Sequence, residues 1–193
     1  MKKPGQHYKL YKPFGMLSQL VSNDPKEQRN KKFLCELYSF SNGIMPIGRL
    51  DEKSEGLLLL TNDGVLSDRI NRSGIEKEYY VQLDGLIHLA AIKQLKKGVE
   101  IGLKGSRYRT KPCKIELLSA APISHPPDQR LRIGRHRPTS WVSITLTEGK
   151  FRQIRKMTAA VGFPTQRLIR IRIGTIRLDN MAPGDIKELT MLE

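Results

Sequence analysis

The chain has 193 residues, of which 38% are hydrophobic, so it can build one sizeable core. Its 34 Lys and Arg residues outnumber 19 Asp and Glu residues, which gives a net charge of +15 and indicates a polyanionic partner. The longest apolar run is only a few residues, so the sequence predicts no membrane-spanning helix and no membrane partner.

Periodicity of the apolar residues predicts six strands and four helices. The strands are expected at residues 8–12, 56–61, 77–83, 111–118, 140–147 and 168–178. The helices are expected at residues 31–39, 65–72, 88–97 and 150–161. Strands interleaved irregularly with a few helices favour an α+β fold with a mixed, largely antiparallel sheet flanked by helices. We expect a polar tail over residues 1–7 and a single domain over residues 8–193.

Asp51 lies in a loop directly before four consecutive leucines, residues 57–60. The leucines are typical of a strand buried on both faces, and Asn62-Asp63-Gly64 supplies the turn that ends it. A loop supported by a rigid core strand is a common place for catalytic side chains. The alternative is that Asp51 is a turn former or helix cap with Arg49 as its surface partner.

The helix predicted over residues 150–161 has one apolar face formed by Phe151, Ile154, Met157 or Thr158, and Val161. Its exposed arginines would lie near a helix N-terminus, which favours anions. An ordinary amphipathic surface helix is the alternative. The basic residues that point away from the apolar face are Lys150, Arg152, Arg155 and Lys156.

Basic charge is concentrated between Gln129 and Arg177, where twelve Lys and Arg residues stand against Glu148 alone. Such clustering predicts a nucleic-acid-binding face, although a solvated basic surface is the alternative.

In the last strand, alternation places Arg170 and Arg172 on one face, which suits a phosphate backbone or a protected sheet edge. The long Pro- and Arg-rich segment 119–139 is either a flexible insert or an RNA-contacting arm that becomes ordered on binding. Its candidate RNA-binding residues are Arg130, Arg132, Arg135 and Arg137.

The N-terminus is basic, but no apolar stretch follows it, so no signal peptide is predicted. Cys35 and Cys113 are far apart, with no Cys or His at metal-ligand spacing. We therefore expect a cytoplasmic protein without a structural metal. A monomer is expected as well.

Three segments resemble, in order and approximate spacing, the active-site motifs of the RsuA-type pseudouridine synthases. They are Gly48-Arg49-Leu50-Asp51 with the residues up to Gly56, Glu76-Lys77-Glu78-Tyr79-Tyr80-Val81, and the segment from Thr147 to Met157. Residues 9–15 and 167–174 are similar to the opening and closing strands of the family. The resemblance implies the pseudouridine synthase catalytic fold and the isomerisation of uridine to pseudouridine, without a cofactor.

Within the family, residues 138–141 and 157–165 are most similar to members that modify 23S ribosomal RNA, free or in a pre-ribosomal large-subunit particle. Family members usually begin with an RNA-binding S4 module, but here the first motif starts by about Lys9. We therefore expect the catalytic domain itself, or a partner, to recognise the RNA.

The resemblance also implies roles for individual residues. Asp51 is expected to be the nucleophile or base, acting on a flipped-out uridine at C1′, at C6 or by assisting elimination. Arg155 is expected to pair with Asp51 and keep it charged. Tyr79 would stack on the base and relay a proton, with Tyr80 as the nearby alternative. Arg49 and Leu168 would line the substrate pocket, although core packing also explains Leu168.

Two other classes of protein fit the charge. A non-catalytic ribosomal-RNA-binding or assembly protein would use the same basic face without needing Asp51, Tyr79 and Arg155 together. A nuclease needs clustered carboxylates to hold metals, and a methyltransferase normally has a glycine-rich loop after its first strand. Neither pattern is present in the sequence.

Overall fold

The computed structural model describes residues 5–135 and 137–192. Residues 1–4 of the predicted tail lie outside this description. The strands are β1 (His7–Lys12), β2 (Met45–Ile47), β3 (Glu55–Thr61), β4 (Lys77–Asp84), β5 (Glu100–Leu103), β6 (Ser106–Arg109), β7 (Lys114–Leu118), β8 (Thr139–Leu146), β9 (Thr165–Ile173), β10 (Ile176–Arg177) and β11 (Ile186–Leu189). The helices are α1 (Pro25–Asn30), α2 (Gly64–Arg72), α3 (Leu89–Lys97) and α4 (Gln153–Ala160), with a short 3₁₀ turn at Leu34–Glu36.

The described residues divide into two compact units, residues 5–75 with 170–192, and residues 76–169 without residue 136. In the first unit β1 lies between β3 and β11 and pairs with both in antiparallel register. β2 pairs with the last three residues of β3, also antiparallel. The four leucines of β3 are almost fully buried, as their uninterrupted apolar run predicts. β3 is therefore a rigid strand that begins directly after the Asp51 loop.

The second unit contains an antiparallel three-stranded arrangement in which β8 lies between β4 and β7. Its core combines residues of these strands with the apolar faces of α3 and α4, among them Val81, Leu95, Ile144 and Met157. β5 and β6 form a separate hairpin. The turn of this hairpin is formed by Lys104 and Gly105, both with positive φ, as a two-residue hairpin loop requires.

The predicted α+β fold with a largely antiparallel sheet and few helices is confirmed, with corrections to individual elements. The helix expected over residues 31–39 is wrong. There the backbone of Lys32 accepts from Leu17, and Leu34 donates to Gln19, so contacts distant in sequence hold this segment extended before its single 3₁₀ turn. No helix in the described residues is long and apolar enough to cross a membrane.

The helix expected from Lys150 begins three residues later, at Gln153. Arg152 has a left-handed backbone, with φ of 52°, so the preceding residues cannot continue the helix. As a result Phe151, which the periodicity assigned to the buried face, is 68% exposed. Ile154 and Met157 remain in the core, as predicted.

Candidate active site

The loop that carries Asp51 is held by hydrogen bonds to its backbone on both sides of the carboxylate. Leu50 donates its N–H to the Ser18 hydroxyl (3.0 Å), and the same hydroxyl donates back to the Leu50 carbonyl (2.7 Å). On the other side, the N–H of Gly15 donates to the Glu52 carbonyl (2.8 Å). Asp51 itself is half-buried. A carboxylate on a fixed backbone and with access to solvent is suited to act on a bound substrate.

Arg170 connects the two ends of this loop. Its Nε donates to the Leu57 carbonyl (2.7 Å) and its Nη1 to the Arg49 carbonyl (3.3 Å). The side chain is only 3% exposed. The sequence made Arg170 a candidate RNA-binding residue on a face that suits a phosphate backbone or a protected sheet edge. The structure directs its guanidinium to two backbone carbonyls. Arg172, two residues further on, is half-buried and donates to the Gly174 carbonyl (2.8 Å).

Lys12 is a fully buried cation close to the same loop. Its Nζ donates to the carbonyls of Pro13 (2.9 Å) and Met16 (2.7 Å). Burial, together with the positive charge of Arg170, lowers the pKa of Lys12 to about 7, although the nearby acidic residues Glu55, Asp51 and Glu52 act to raise it. The protonation of Lys12 is therefore coupled to the folding of this unit.

We expect Ser18→Ala to destabilise the protein by about 1–3 kcal/mol, because it leaves the buried N–H and carbonyl of Leu50 without their partner. The matched control is Ser54→Ala in the same loop, since the Ser54 hydroxyl is buried but has no hydrogen-bond partner among the described residues. Urea unfolding of both variants is the measurement. Equal losses of stability in the two variants would contradict a specific role of Ser18.

The depressed pKa of Lys12 predicts how stability depends on pH. The unfolded chain keeps an ordinary lysine pKa of about 10.4, so between about pH 7 and pH 10 the unfolded state binds more protons than the folded state. The contribution of Lys12 to the free energy of unfolding should therefore become more favourable to the folded state as the pH rises through this range. In Lys12→Met this contribution is absent, so the wild type should gain stability relative to the variant between neutral and alkaline pH in urea titrations. If the stability of the wild type and of Lys12→Met changed with pH in parallel, the lowered pKa of buried Lys12 would be contradicted.

In the second unit, Tyr79 and Leu168 lie at the same hydrophobic cluster. Leu168 is a buried member of the cluster, and half-buried Tyr79 packs against it from β4. Arg155, on α4, is half-buried, and its Nη1 donates to the Thr165 carbonyl (3.2 Å). Tyr80 follows Tyr79 on the strand and pairs with Ser143 of β8. Both explanations of Leu168, core packing and contact with a base, are compatible with this position.

Glu148 organises the segment before α4. Its carboxylate accepts from the Tyr108 hydroxyl (2.5 Å), the Lys111 N–H (2.9 Å) and the Gln153 amide (2.6 Å). Burial acts to raise the pKa of Glu148, but these hydrogen bonds outweigh it and lower the pKa below its ordinary value. Glu148, the one acidic residue in the sequence of the basic region, thus has a structural role as an anion.

The segment 119–139 is fastened to the rest of the second unit at several points. Arg167 donates to the His125 carbonyl (3.0 Å), and the Gly134 N–H donates to the side chain of Gln166 (3.2 Å). Arg137 forms an ion pair with Asp84 (3.0 Å). These contacts hold the segment against the rest of the second unit.

The four candidate arginines of the arm differ in their surroundings. Arg130 forms a bidentate ion pair with Asp128. Arg137 forms an ion pair with Asp84 and donates to the Gly162 carbonyl (3.3 Å). Arg132 and Arg135 are exposed. Arg132 and Arg135 are therefore the stronger candidates for contact with an anion.

The sequence profile of the RNA pseudouridylate synthase family matches residues 6–160 of the chain. The chain therefore belongs to this family and is an RNA pseudouridine synthase. Among its relatives is the ribosomal large subunit pseudouridine synthase E of Xanthomonas axonopodis pv. citri, 40% identical over 90% of this chain and 88% of the relative. The enzyme of the same name from Vibrio parahaemolyticus is 40% identical over 93% of this chain and 72% of the relative. A crystal structure of a pseudouridylate synthase is similar with a TM-score of 0.74 and 29% identity, over 96% of this chain and 70% of that one.

Sequence reasoning did not identify Ser18, Lys12 or Arg170 as residues around the Asp51 loop. Ser18 lies 32 residues before Leu50, and Arg170 lies 121 residues after Arg49. Contacts at such separations leave no local periodic signal. The sequence hint for Lys12 is a charged residue at the end of a buried strand, followed by proline.

Proposed function

We propose that this enzyme isomerises one uridine of 23S ribosomal RNA, the RNA of the large ribosomal subunit, to pseudouridine. The names of its 36–40% identical relatives support this substrate. The basic region from Gln129 to Arg177 supports a polyanionic substrate independently of those names. The observation that most supports catalysis by this chain is the fixed backbone around Asp51, with Leu50 and Glu52 bound on either side.

In the proposed reaction the N1–C1′ bond of the uridine breaks, the base turns, and a bond forms between C5 and C1′. The proton at C5 is lost and N1 gains one, so atoms and electrons balance without an oxidant or cofactor. Asp51 is proposed as the nucleophile or base for the flipped-out uridine. Its fixed loop keeps the carboxylate in place while the base turns.

Other residues are proposed to support this step. Tyr79 stacks on the base and relays a proton, and Leu168 with Arg49 lines the pocket. The packing of Tyr79 and Leu168 at one hydrophobic cluster supports the pairing of these two roles. Arg155 is proposed to pair with the carboxylate of Asp51 and position it.

The reaction is tested with RNA transcripts in which uridine carries tritium at C5, because isomerisation releases that hydrogen to water. The purified enzyme should release about one tritium per molecule of 23S transcript and essentially none from 16S transcript. If protein-free 23S transcript gives no release, large-subunit particles from cells that lack the enzyme replace it. Release from the small-subunit RNA alone, or from neither transcript nor particle, would contradict the proposed substrate.

The exposed arginines of segment 119–139, Arg132 and Arg135, lead us to expect that RNA binding depends on salt concentration. We expect the double variant Arg132→Ala/Arg135→Ala to flatten the slope of log K against log salt by about 0.7–0.9 for each phosphate that the protein no longer neutralises. The matched control is Lys93→Ala/Lys97→Ala, which removes the same charge from exposed positions on α3. If both double variants changed the slope equally, Arg132 and Arg135 would contribute only to the net charge of the protein and would not contact phosphate.

We further propose that the enzyme works in the cytoplasm. Its two cysteines, Cys35 and Cys113, are free thiols and Cys35 is exposed, which suits a reducing compartment. Ribosomal RNA and its assembling particles are the partners expected there.

A further inference from the structure

Phe151 is a large apolar side chain that the structure exposes to solvent. It is 68% exposed and lies two residues before the first residue of α4. Single exposed apolar residues are common on protein surfaces and need no explanation by themselves. The contacts around Phe151 distinguish it from such residues, because buried polar groups fix the backbone on both sides of it.

The turn that carries Phe151 is held by Gln153, which is 4% exposed. The side-chain oxygen of Gln153 accepts from the Lys150 N–H (2.9 Å), and its amide nitrogen donates to Glu148 (2.6 Å). Glu148 is itself tied to the β5–β6 hairpin through Tyr108. The backbone turn that carries Phe151 is therefore held by a chain of hydrogen bonds that passes through a buried side chain.

The residue after Phe151 adopts an unfavourable backbone conformation. Arg152 is left-handed, with φ of 52° and ψ of 36°, and such a conformation in a non-glycine residue costs on the order of 1 kcal/mol or more. A helix that continued through residue 152 would avoid this cost. Strain of this kind is found most often where a side chain is needed for function.

The surroundings of the exposed ring are cationic. Nζ of Lys156 lies 5.3 Å from the centre of the Phe151 ring, and Lys150 and Arg152 on either side of Phe151 are exposed. Glu148, the acid nearest in sequence, already accepts three hydrogen bonds within the protein. An aromatic face between cations suits a nucleobase between two phosphates, because bases stack on aromatic rings while cations neutralise the backbone.

We propose that Phe151 is a stacking platform for an unpaired base of the substrate RNA other than the uridine that is isomerised. Lys150 and Arg152 contact the phosphates next to this base. The proposal rests on RNA being the substrate and assigns to this chain a second point of base recognition. It explains why the backbone is strained to keep the ring in solvent.

The test compares Phe151→Leu with Phe151→Trp in RNA-binding measurements. Leucine keeps most of the apolar volume but has no aromatic face, so it should weaken binding about five- to a hundredfold. Tryptophan should bind as tightly as the wild type or more tightly. Leu89→Ala removes another exposed apolar side chain, 70% exposed on α3, and should leave affinity unchanged. Melting temperatures of all variants verify that they fold.

The fluorescence of Phe151→Trp provides a direct readout of stacking. The single natural tryptophan, Trp141, is 8% exposed and gives a steady background, whereas a stacked tryptophan at position 151 should be quenched by RNA. A series of RNAs with single abasic positions should restore the fluorescence at one nucleotide, which identifies the stacked base. Undiminished affinity in Phe151→Leu, or quenching that no abasic position relieves, would overturn the proposal.

These binding measurements remain informative whatever the outcome for turnover. RNA affinity of Phe151→Leu tests the platform, whereas tritium release by the wild type tests the reaction. A wild type that binds RNA through Phe151 but releases no tritium would contradict the proposed reaction and leave the platform intact. A Phe151→Leu variant with normal affinity but reduced turnover at saturation would contradict the platform and leave the reaction intact.

Discussion

Asp51→Asn is expected to abolish pseudouridine formation while RNA affinity stays within a few-fold of the wild type. The substitution keeps the shape of the side chain but removes the charge that is proposed to attack the uridine or accept its proton. Loss of such a group typically lowers turnover by several orders of magnitude. Affinity should persist because almost none of the basic region is changed. Single-turnover tritium release and equilibrium RNA binding are the measurements.

The matched control for this variant is Asp63→Asn, the same chemical change in the same unit. Asp63 caps α2 by accepting from the Leu66 N–H (3.0 Å), and asparagine caps helices about as well as aspartate. Asp63→Asn should therefore keep wild-type turnover. Residual turnover of Asp51→Asn above about a hundredth of the wild type would exclude Asp51 as the essential group.

Arg155→Lys is expected to lower turnover at least about tenfold more than it lowers RNA affinity. Lysine keeps the positive charge, but its ammonium cannot reproduce the planar fork with which an arginine holds a carboxylate. If Arg155 positions Asp51, as proposed, the charge alone is not sufficient. The measurement is the single-turnover rate at saturating RNA, together with the dissociation constant.

The control is Arg109→Lys, the same change at an exposed arginine of the β5–β6 hairpin that has no proposed part in the reaction. It should leave both the rate and the affinity unchanged. Equal rates for Arg155→Lys and the wild type would assign Arg155 to the basic surface and leave the partner of Asp51 to be found elsewhere.

The strands that form the centre of each unit could be predicted from the sequence because their patterns are local. Four leucines in a row locate β3, and apolar residues alternating with hydroxyls locate β8. The β5–β6 hairpin was missed because its strands have only four residues each and expose most of their side chains. Its Lys104-Gly105 turn is the signal that could have identified it.

The limits of periodicity are clearest for Phe151 and Arg170. Helical spacing predicted a buried Phe151, but the buried contacts of Gln153 and the left-handed Arg152 start the helix later. Strand alternation placed Arg170 on a face that suits a phosphate backbone or a protected sheet edge. In the structure this side chain is buried, and its guanidinium binds the carbonyls of Leu57 and Arg49. In both cases a tertiary contact decided the outcome, and a sequence pattern contains no information about such a contact.

The Asp51 loop shows the same division between local and distant information. Asp51 itself was predicted from its motif and from the buried strand that follows it. The groups that fix its backbone, Ser18 and Gly15, come from the segment after β1 and are recognised only in the folded unit. Motifs therefore identify the reactive residues more readily than the residues that position them.

A map of pseudouridines in 23S ribosomal RNA, from cells in which the gene for this protein has been deleted, tests the central claim most directly. We predict the loss of a single pseudouridine from the large-subunit RNA, with the small-subunit RNA unchanged. Expression of the wild-type protein should restore it, and expression of Asp51→Asn should not. An unchanged map, or restoration by Asp51→Asn, would contradict the proposal that this chain isomerises a ribosomal uridine through Asp51.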